Sequence, residues 1–257
     1  MKVTELFSVE GKVVLITGGS TGIGAMIAQA YVENGARVYI SSRKSGVCDG
    51  LASELSHIGI CQSLPADVSS LAGIESLVQG FQSKEDKLDV LINNAGATWG
   101  EPIDTYAEDG WDKVVDLNLK SVFFLTKALL PQLRAANTDG GYSRVINVAS
   151  VNGLRPPVLE TFAYSASKAG CIMLTRHLAK RLSQDRILVN AIAPGPFSTK
   201  MMAATLSEHG DAIRASNPLG RVGEPADIAG VAMFLGARAS AYLTGATIPC
   251  DGGSAEL

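Results

Sequence analysis

Short runs of apolar residues alternate along the chain with longer segments whose apolar positions recur at the helical period. This alternation is typical of β-α-β units, in which buried strands form a parallel sheet and helices cover both faces. It predicts strands at residues 12–17, 37–41, 61–66, 88–93, 144–149, 187–192 and 247–250. The predicted helices lie at residues 23–34, 49–57, 71–81, 111–135, 164–182, 201–208 and 226–235, and Pro131 could kink the fourth of them. We therefore expect an α/β protein with a Rossmann-type doubly wound parallel sheet of about seven strands.

The 257-residue chain shows no internal repeat, low-complexity tract or interdomain linker, so we expect a single domain over residues 1–257. Its least regular stretch, residues 193–224, contains three prolines. A segment of this kind is typical of a functional loop, and we expect a substrate lid around residues 194–224. Its apolar side chains Met201, Met202 and Leu206 could cover an apolar substrate, or they could make core or oligomer contacts.

Composition and charge exclude several classes of protein. The net charge is −3 and basic residues are not clustered, which argues against a nucleic-acid partner. No apolar run reaches the roughly 18 residues of a membrane span, and the N-terminus lacks a secretory pattern. The four cysteines have neither Cys-x-x-Cys spacing nor an accompanying histidine pattern. We expect a cytoplasmic protein with reduced thiols, no metal site and no membrane partner.

A glycine-rich turn follows the first predicted strand, with Gly18, Gly22 and Gly24 spaced Gly-x-x-x-Gly-x-Gly. Glycines let the backbone approach a pyrophosphate, and the N-terminus of the next helix offers unpaired N–H groups. An ordinary glycine turn is the alternative, but the strand-turn-helix context predicts a dinucleotide site. The expected contacts are Gly18, Ser20, Thr21, Gly22, Ile23 and Gly24.

The end of the second predicted strand indicates which dinucleotide binds. A carboxylate there would accept from the ribose 2′-hydroxyl of NAD, but residues 41–44 contain no acid. Arg43 can pair with a 2′-phosphate through two hydrogen bonds, and Ser42 can donate another. Arg43 and Lys44 could also be solvated loop charges. The pattern favours NADP(H), with Ser42, Arg43 and Lys44 as contacts.

Tyr164 and Lys168 are four residues apart, which places them on one face of a helix. A phenol has an ordinary pKa of about 10, and a nearby cation moves that pKa toward the neutral range. Beside a nicotinamide, such a phenol can protonate a carbonyl oxygen as hydride reaches the carbon. The pair predicts an oxidoreductase, although Tyr164 could also be a packing residue.

These residues and further motifs resemble the short-chain dehydrogenase/reductase family over residues 12–253. The matching motifs are residues 17–24, Asp67-Val68, residues 93–96, Asn118, Ser150, Tyr164-x-x-x-Lys168 and Pro194-Gly195. The chain is most similar to the 3-oxoacyl-(acyl carrier protein) reductases. These include a branch associated with rhamnolipid synthesis, with which it shares Trp99-Gly100.

The resemblance implies a catalytic role for each of four residues. Tyr164 would be the general acid in reduction, and Lys168 would lower its pKa and hold the nicotinamide ribose. Ser150 would hydrogen-bond the substrate carbonyl, and Asn118 would hold a water that connects Lys168 to solvent. The further cofactor contacts that the resemblance implies are Asp67, Val68, Asn94, Ala95, Gly96, Tyr164, Lys168, Pro194, Gly195 and Thr199.

Structural roles remain open for several of these residues. Ser150 could cap a strand end, Asn118 could be a polar helix residue, and the turn at residues 93–96 could be structural. Fourteen positions separate Ser150 from Tyr164, one more than is usual in the family. We expect the intervening loop, residues 151–163, to form one wall of the substrate pocket, with Glu160 as a surface charge.

The sequence thus predicts NADPH-dependent reduction of a ketone to a secondary alcohol. The resemblance favours a 3-oxoacyl thioester carried by acyl carrier protein or coenzyme A. Free ketones, secondary alcohols or sugars are alternative substrates, and a cofactor-binding regulator without turnover is a further alternative. The resemblance also implies a homotetramer that pairs the helix after Trp111 and the Tyr164 helix with those of another subunit.

Overall fold

The computed structural model describes residues 2–137 and 141–255. The strands in this part of the chain are β1 (Val13–Thr17), β2 (Arg37–Ser41), β3 (Ile60–Ser63), β4 (Val90–Asn93), β5 (Ser143–Val148), β6 (Ile187–Pro194) and β7 (Thr247–Cys250). They form one parallel sheet in the order β3-β2-β1-β4-β5-β6-β7. The direction of winding reverses between β1 and β4, the point at which such sheets bind ligands. The predicted doubly wound parallel sheet is confirmed.

Helices cover both faces of this sheet. They are α1 (Val3–Phe7), α2 (Gly22–Glu33), α3 (Ser45–Leu55), α4 (Leu71–Gln82), α5 (Glu108–Val115), α6 (Ser121–Ala128), α7 (Leu130–Ala135), α8 (Phe162–Leu182), α9 (Ala203–Ser216) and α10 (Pro225–Gly236). Helices α2, α3 and α10 pack on one face, and α4, α6 and α8 pack on the other. Among the residues described, none of these helices combines the length and the apolar character that a bilayer span requires.

The core explains why the strands appear as continuous apolar runs in the sequence. Along β1, Val14 and Ile16 pack with Tyr31 of α2, whereas Leu15 packs with Phe81 of α4 on the opposite face. Both faces of a central strand are therefore buried, which removes the usual alternation of apolar and polar residues. Each fully buried side chain of this size stabilises the fold by about 1.5–3 kcal/mol.

The long helix predicted at residues 111–135 is divided in the structure, and one of its interruptions lies next to Pro131, where a kink was predicted. The helical segment begins earlier, with α5, and continues through a π-helical turn, Asp116–Lys120, into α6. A break then precedes α7, and Pro131 lies in the first turn of that helix. Because proline has no N–H to donate, it cannot continue the hydrogen-bond ladder of α6.

The segment between β6 and α10 is more regular than predicted. The helix expected at residues 201–208 is the 14-residue α9, and Gly210 is its buried residue. Helix α9 thus lies on the protein body with little of its own surface buried. A lid function for this segment stays a prediction.

Candidate active site

The glycine turn lies at the carboxyl end of β1, where the winding of the sheet reverses. Gly18 and Gly22 have φ values of 62° and 56°, in the left-handed region that favours glycine. Helix α2 begins at Gly22, and the side chain of its N-cap residue Thr21 makes no capping hydrogen bond. A helix N-terminus that lacks a side-chain cap is suited to binding an anion.

Asn94, directly after β4, holds this turn in place. Its Nδ2 donates to the carbonyl oxygens of Thr17 and Gly18, each at 3.0 Å. Thr17 Oγ1 accepts from the backbone N–H groups of Asn94 and Ala95, each at 3.1 Å. Gly24 packs directly against this turn, and only glycine fits there because a Cβ would overlap the Gly18 carbonyl oxygen and the Asn94 amide. The turn at residues 93–96 therefore has a structural role.

Helix α8 carries Tyr164 and Lys168 one turn apart. Lys168 is 4% exposed, and its Nζ donates to the carbonyl oxygen of Val148 at 2.7 Å. The same ammonium lies 5.7 Å from the centroid of the Tyr164 ring. The helix thus places a buried cation beside the phenol, as the spacing of the two residues predicted.

Ser150 follows β5 and begins a short 3₁₀ turn, Val151–Gly153. Its Oγ accepts from the backbone N–H of Asn152 at 3.1 Å, so Ser150 does cap this turn. The hydroxyl hydrogen is not used in that bond and remains available to a ligand. Gly153 lets the turn lie against α8, because a Cβ at this position would be 2.7 Å from the carbonyl carbon of Lys168.

Asn118 lies in the π-helical turn and is 1% exposed. Its Oδ1 accepts from the N–H of Ala97 at 2.8 Å, and its Nδ2 donates to the Ala97 carbonyl oxygen at 2.9 Å. The Nδ2 also donates to Ser167 Oγ at 3.1 Å, and Ser167 Oγ donates to the Tyr164 carbonyl oxygen at 2.8 Å. Asn118 therefore connects the chain after β4 to the Tyr164 helix.

These elements surround a cleft of about 490 Å³. The predicted site residues that line it are Gly18, Thr21, Gly22, Ile23, Asn94, Gly96, Ser150, Tyr164, Lys168, Pro194, Gly195 and Thr199. The predicted residues outside this lining are Ser20, Gly24, Ser42, Arg43, Lys44, Asp67, Val68, Ala95 and Asn118. Three of the four predicted catalytic residues thus meet at the cleft, and Asn118 lies behind it.

The wall expected from the loop at residues 151–163 is present, since Val151, Leu159 and Thr161 line the cleft. Met201 and Met202 line it too, whereas Leu206 lines a second groove beside α2. The methionines therefore face the cleft and Leu206 faces the groove beside α2, and a role of these residues in covering a substrate stays a prediction.

Sequence reasoning did not single out Thr98, Phe197 and Lys200, which also line the cleft. They follow the predicted motifs at residues 93–96 and at Pro194-Gly195 by only a few positions. Their position close to these motifs could have indicated that they lie near the site, but their residue types did not point to a function.

Comparison with known proteins agrees with this geometry. A family model described as "Enoyl-(Acyl carrier protein) reductase" matches residues 18–255. The chain belongs to the short-chain dehydrogenase/reductase family. The "Rhamnolipids biosynthesis 3-oxoacyl-[acyl-carrier-protein] reductase" of Pseudomonas aeruginosa is 44% identical over 249 residues, 96% of this chain and 97% of that protein.

Two solved structures that contain NADP are similar in fold to this chain. The Pseudomonas aeruginosa RhlG/NADP active-site complex has a TM-score of 0.94 and 44% identity, covering 98% of this chain and 99% of that chain. A gluconate 5-dehydrogenase from Burkholderia cenocepacia, in complex with NADP and tartrate, has a TM-score of 0.92 and 28% identity. That match covers the whole of both chains.

In this short-chain dehydrogenase/reductase, the residues predicted to contact the adenosine lie at the carboxyl ends of β2 and β3. Arg43 and Lys44 are exposed directly after β2. Asp67 Oδ1 accepts from both the N–H and the Oγ of Ser69, at 3.1 and 2.7 Å, so this carboxylate stabilises the turn before α4. Val68 is buried. Their contacts with a cofactor stay predictions.

Hydrogen bonding and burial shift the pKa values of two groups near the cleft, Glu101 and Cys171. The Trp99 indole donates to Glu101 Oε2 at 2.9 Å and keeps the pKa of that carboxyl below its ordinary value. Burial raises the pKa of the Cys171 thiol on α8.

Glu160 is exposed, as predicted, and its carbonyl oxygen accepts from the Glu101 N–H at 3.2 Å. Across residues 2–137 and 141–255, no group of three or more potential metal ligands occurs.

Two helical glycines provide a matched test of the glycine turn. We expect Gly24→Ala to reduce stability by about 1–3 kcal/mol and to weaken NADPH binding, because its Cβ would push against the Gly18 carbonyl. Gly230→Ala in α10 meets no neighbouring atom and should raise stability by about 0.5–1 kcal/mol without changing NADPH binding. Urea denaturation and NADPH fluorescence titration measure both effects. Equal behaviour of the two variants would contradict this account of the turn.

Proposed function

We propose that this enzyme uses NADPH to reduce the ketone of a 3-oxoacyl thioester to a secondary alcohol. The observation that carries the proposal is that Tyr164, Lys168 and Ser150 line the same cleft as the glycine turn. The relative named as a 3-oxoacyl-[acyl-carrier-protein] reductase supports the substrate class. Two similar structures that contain NADP support the cofactor.

The residues at the glycine turn fit a dinucleotide phosphate. Because Gly18 and Gly22 have no side chains, a phosphate can approach the backbone of the turn closely, and the N-terminus of α2 favours negative charge. We propose that Arg43 and Ser42 bind the 2′-phosphate of NADP, since residues 41–44 contain no carboxylate that would repel it. When bound, the cofactor supplies the hydride.

We propose that Tyr164 transfers its phenolic proton to the ketone oxygen during reduction. Ser150 accepts from Asn152 and so directs its own hydrogen away from that bond, which leaves it available to the same oxygen. Lys168 is held by the Val148 carbonyl oxygen with its ammonium 5.7 Å from the centroid of the Tyr164 ring, where its positive charge would stabilise negative charge that develops on the phenol during the transfer. The same phenol would act as the base in oxidation.

We propose that a water between Asn118 and Lys168 restores the proton of Tyr164. A Cβ at Gly96 would lie 3.3 Å from Asn118 Oδ1 and 3.6 Å from Lys168 Nζ, so both polar atoms face this glycine. The absence of a side chain at Gly96 leaves space beside both atoms. This arrangement supports the proposed relay from Lys168 to solvent.

The apolar lining favours an acyl substrate over a polyol. Leu159 and Met201 line the cleft and are 56% and 50% exposed, and Met202 is a further apolar residue of the lining. An alkyl chain that covers these side chains gains from their burial. The similarity to a gluconate 5-dehydrogenase keeps sugars and other free ketones or alcohols as the second candidate class. The acyl group would be carried by acyl carrier protein or by coenzyme A.

We further propose a homotetramer in the cytoplasm. Apolar side chains are exposed on the helices expected to pair, namely Trp111 of α5, Phe123 of α6 and Met173 of α8. The four cysteines are free, which is typical of a reducing compartment.

Light scattering tests the assembly. We expect four times the chain mass of 26.8 kDa for the wild type and a smaller species for Phe123→Asp. Ile58→Asp, which alters an exposed apolar residue outside these helices, is the control and should leave the mass unchanged. A monomeric wild type would contradict the proposal.

Acetoacetyl-coenzyme A tests the reaction directly. We expect the wild type to consume NADPH with this substrate, and we expect Tyr164→Phe to lower kcat by about 10²- to 10⁴-fold because it removes the acidic proton. NADPH oxidation is followed by absorbance, with 2-heptanone, 5-ketogluconate and crotonyl-coenzyme A in parallel. Equal rates for the two proteins would refute the role of Tyr164. A preference for 5-ketogluconate would replace the acyl substrate with a sugar.

Arg43→Ala tests the cofactor assignment. Loss of a charged hydrogen bond to the 2′-phosphate should raise the KM for NADPH by about 10- to 100-fold. The KM for NADH should change less than twofold, because NADH has no phosphate at that position. Steady-state kinetics with both cofactors measures the ratio. If the KM values for NADPH and NADH rise by the same factor, Arg43 does not bind the 2′-phosphate.

A further inference from the structure

The cleft lining contains an amide, Asn152, whose side chain makes no hydrogen bond to the part of the chain that the structure describes. Asn152 lines the cleft, and its hydrogen bond to the described part of the chain is made by its backbone N–H. The other amide of the cleft lining, Asn94, donates to the Thr17 and Gly18 carbonyls. Asn152 therefore offers two N–H donors and an oxygen acceptor to whatever occupies the cleft.

The Asn152 side chain stands on a turn whose backbone is fixed. Its N–H donates to Ser150 Oγ, and the N–H of Gly153 donates to the Ser150 carbonyl oxygen at 3.0 Å. Gly153 in turn packs directly on the backbone of α8 at Lys168. The backbone of Asn152 is thus held next to the hydroxyl that is proposed to bind the ketone, and the side-chain amide extends from this fixed position. A donor on a rigid element loses little entropy when it binds a ligand.

A 3-oxoacyl compound has a second carbonyl that needs such a donor. When its 3-oxo oxygen lies at Tyr164 and Ser150, its C1 carbonyl is only one methylene group away. Val151 and Leu159 make part of the surrounding wall apolar, and a carbonyl that loses water there without a new partner weakens binding. The hydroxyl of Thr161 already faces the Leu159 carbonyl oxygen at 3.5 Å.

We propose that Asn152 Nδ2 donates a hydrogen bond to the C1 carbonyl of the substrate. Asn152 then determines specificity for 1,3-dicarbonyl compounds over simple ketones. The inference rests on the proposed function and specifies how that cleft recognises its substrate.

A pair of ketones of equal length tests this role. Ethyl acetoacetate and 2-heptanone present the same methyl ketone on chains of equal length, but 2-heptanone has no second carbonyl. Asn152→Asp keeps the size of the side chain and removes the N–H donors, and Asn152→Leu removes all polarity. We expect both variants to lower kcat/KM for ethyl acetoacetate about tenfold. The value for 2-heptanone should change less than twofold, and NADPH binding should stay unchanged.

Two further variants complete the test: Asn152→Gln, which keeps the N–H donors, and Thr98→Val, which removes another hydroxyl of the cleft lining. We expect Asn152→Gln to keep part of the preference for ethyl acetoacetate. If wild-type turnover of 2-heptanone is too slow to measure, its inhibition constant against ethyl acetoacetate replaces kcat/KM. Equal losses with both ketones would show that Asn152 is only structural and overturn the inference. Loss of the preference in Thr98→Val, with Asn152 variants unaffected, would also overturn it.

Failure of the proposed function has a different signature. In that case the wild type binds NADPH but reduces neither acetoacetyl-coenzyme A nor ethyl acetoacetate, and the inference falls with it. If the wild type reduces both compounds and the Asn152 variants keep the wild-type preference, the proposed function stands and only the role of Asn152 is refuted.

Discussion

The hydrogen bond from Lys168 Nζ to the Val148 carbonyl oxygen joins α8 to the carboxyl end of β5. A buried ammonium needs such a partner, because its removal from water is costly. The bond ties the two chain segments that hold the proposed chemistry: Ser150 lies two residues after Val148, and Tyr164 lies one turn before Lys168. Gly153 brings the turn after Ser150 against the same part of α8. The relative position of phenol and hydroxyl thus depends on this junction.

A buried polar network beneath the cleft extends this rigidity across the sheet. Asn93 Nδ2 at the end of β4 donates to Asn147 Oδ1 of β5, and Asn147 Nδ2 donates to Thr175 Oγ1 of α8, each at 2.9 Å. Asn94 and Asn118 then use their amides to hold the chain on either side of the cleft. Hydrogen bonds of this kind are strong when they are fully satisfied and shielded from water. They keep the proposed donors in place before a substrate arrives, which is the condition for electrostatic catalysis.

The features that sequence predicted well depend on local spacing. Tyr164 and Lys168 lie on one helical face because they are four residues apart, and Gly18 and Gly22 are needed wherever the turn adopts positive φ. The π-helical turn around Asn118 was missed because apolar periodicity does not distinguish it from an ordinary helix. Asn152 lies in the loop at residues 151–163 that was expected to form the pocket wall, and Thr98 follows the motif at residues 93–96, but neither residue type gave a reason to single it out.

The proposed function depends most directly on the transfer of hydride from the nicotinamide to the ketone carbon of the substrate. NADPH labelled with deuterium at C4 of the nicotinamide, on each face in turn, tests it with acetoacetyl-coenzyme A as substrate. We expect the label from one face to appear at C3 of 3-hydroxybutyryl-coenzyme A, as seen by NMR of the product. A product without label from either face, or with label only at C2, would contradict it.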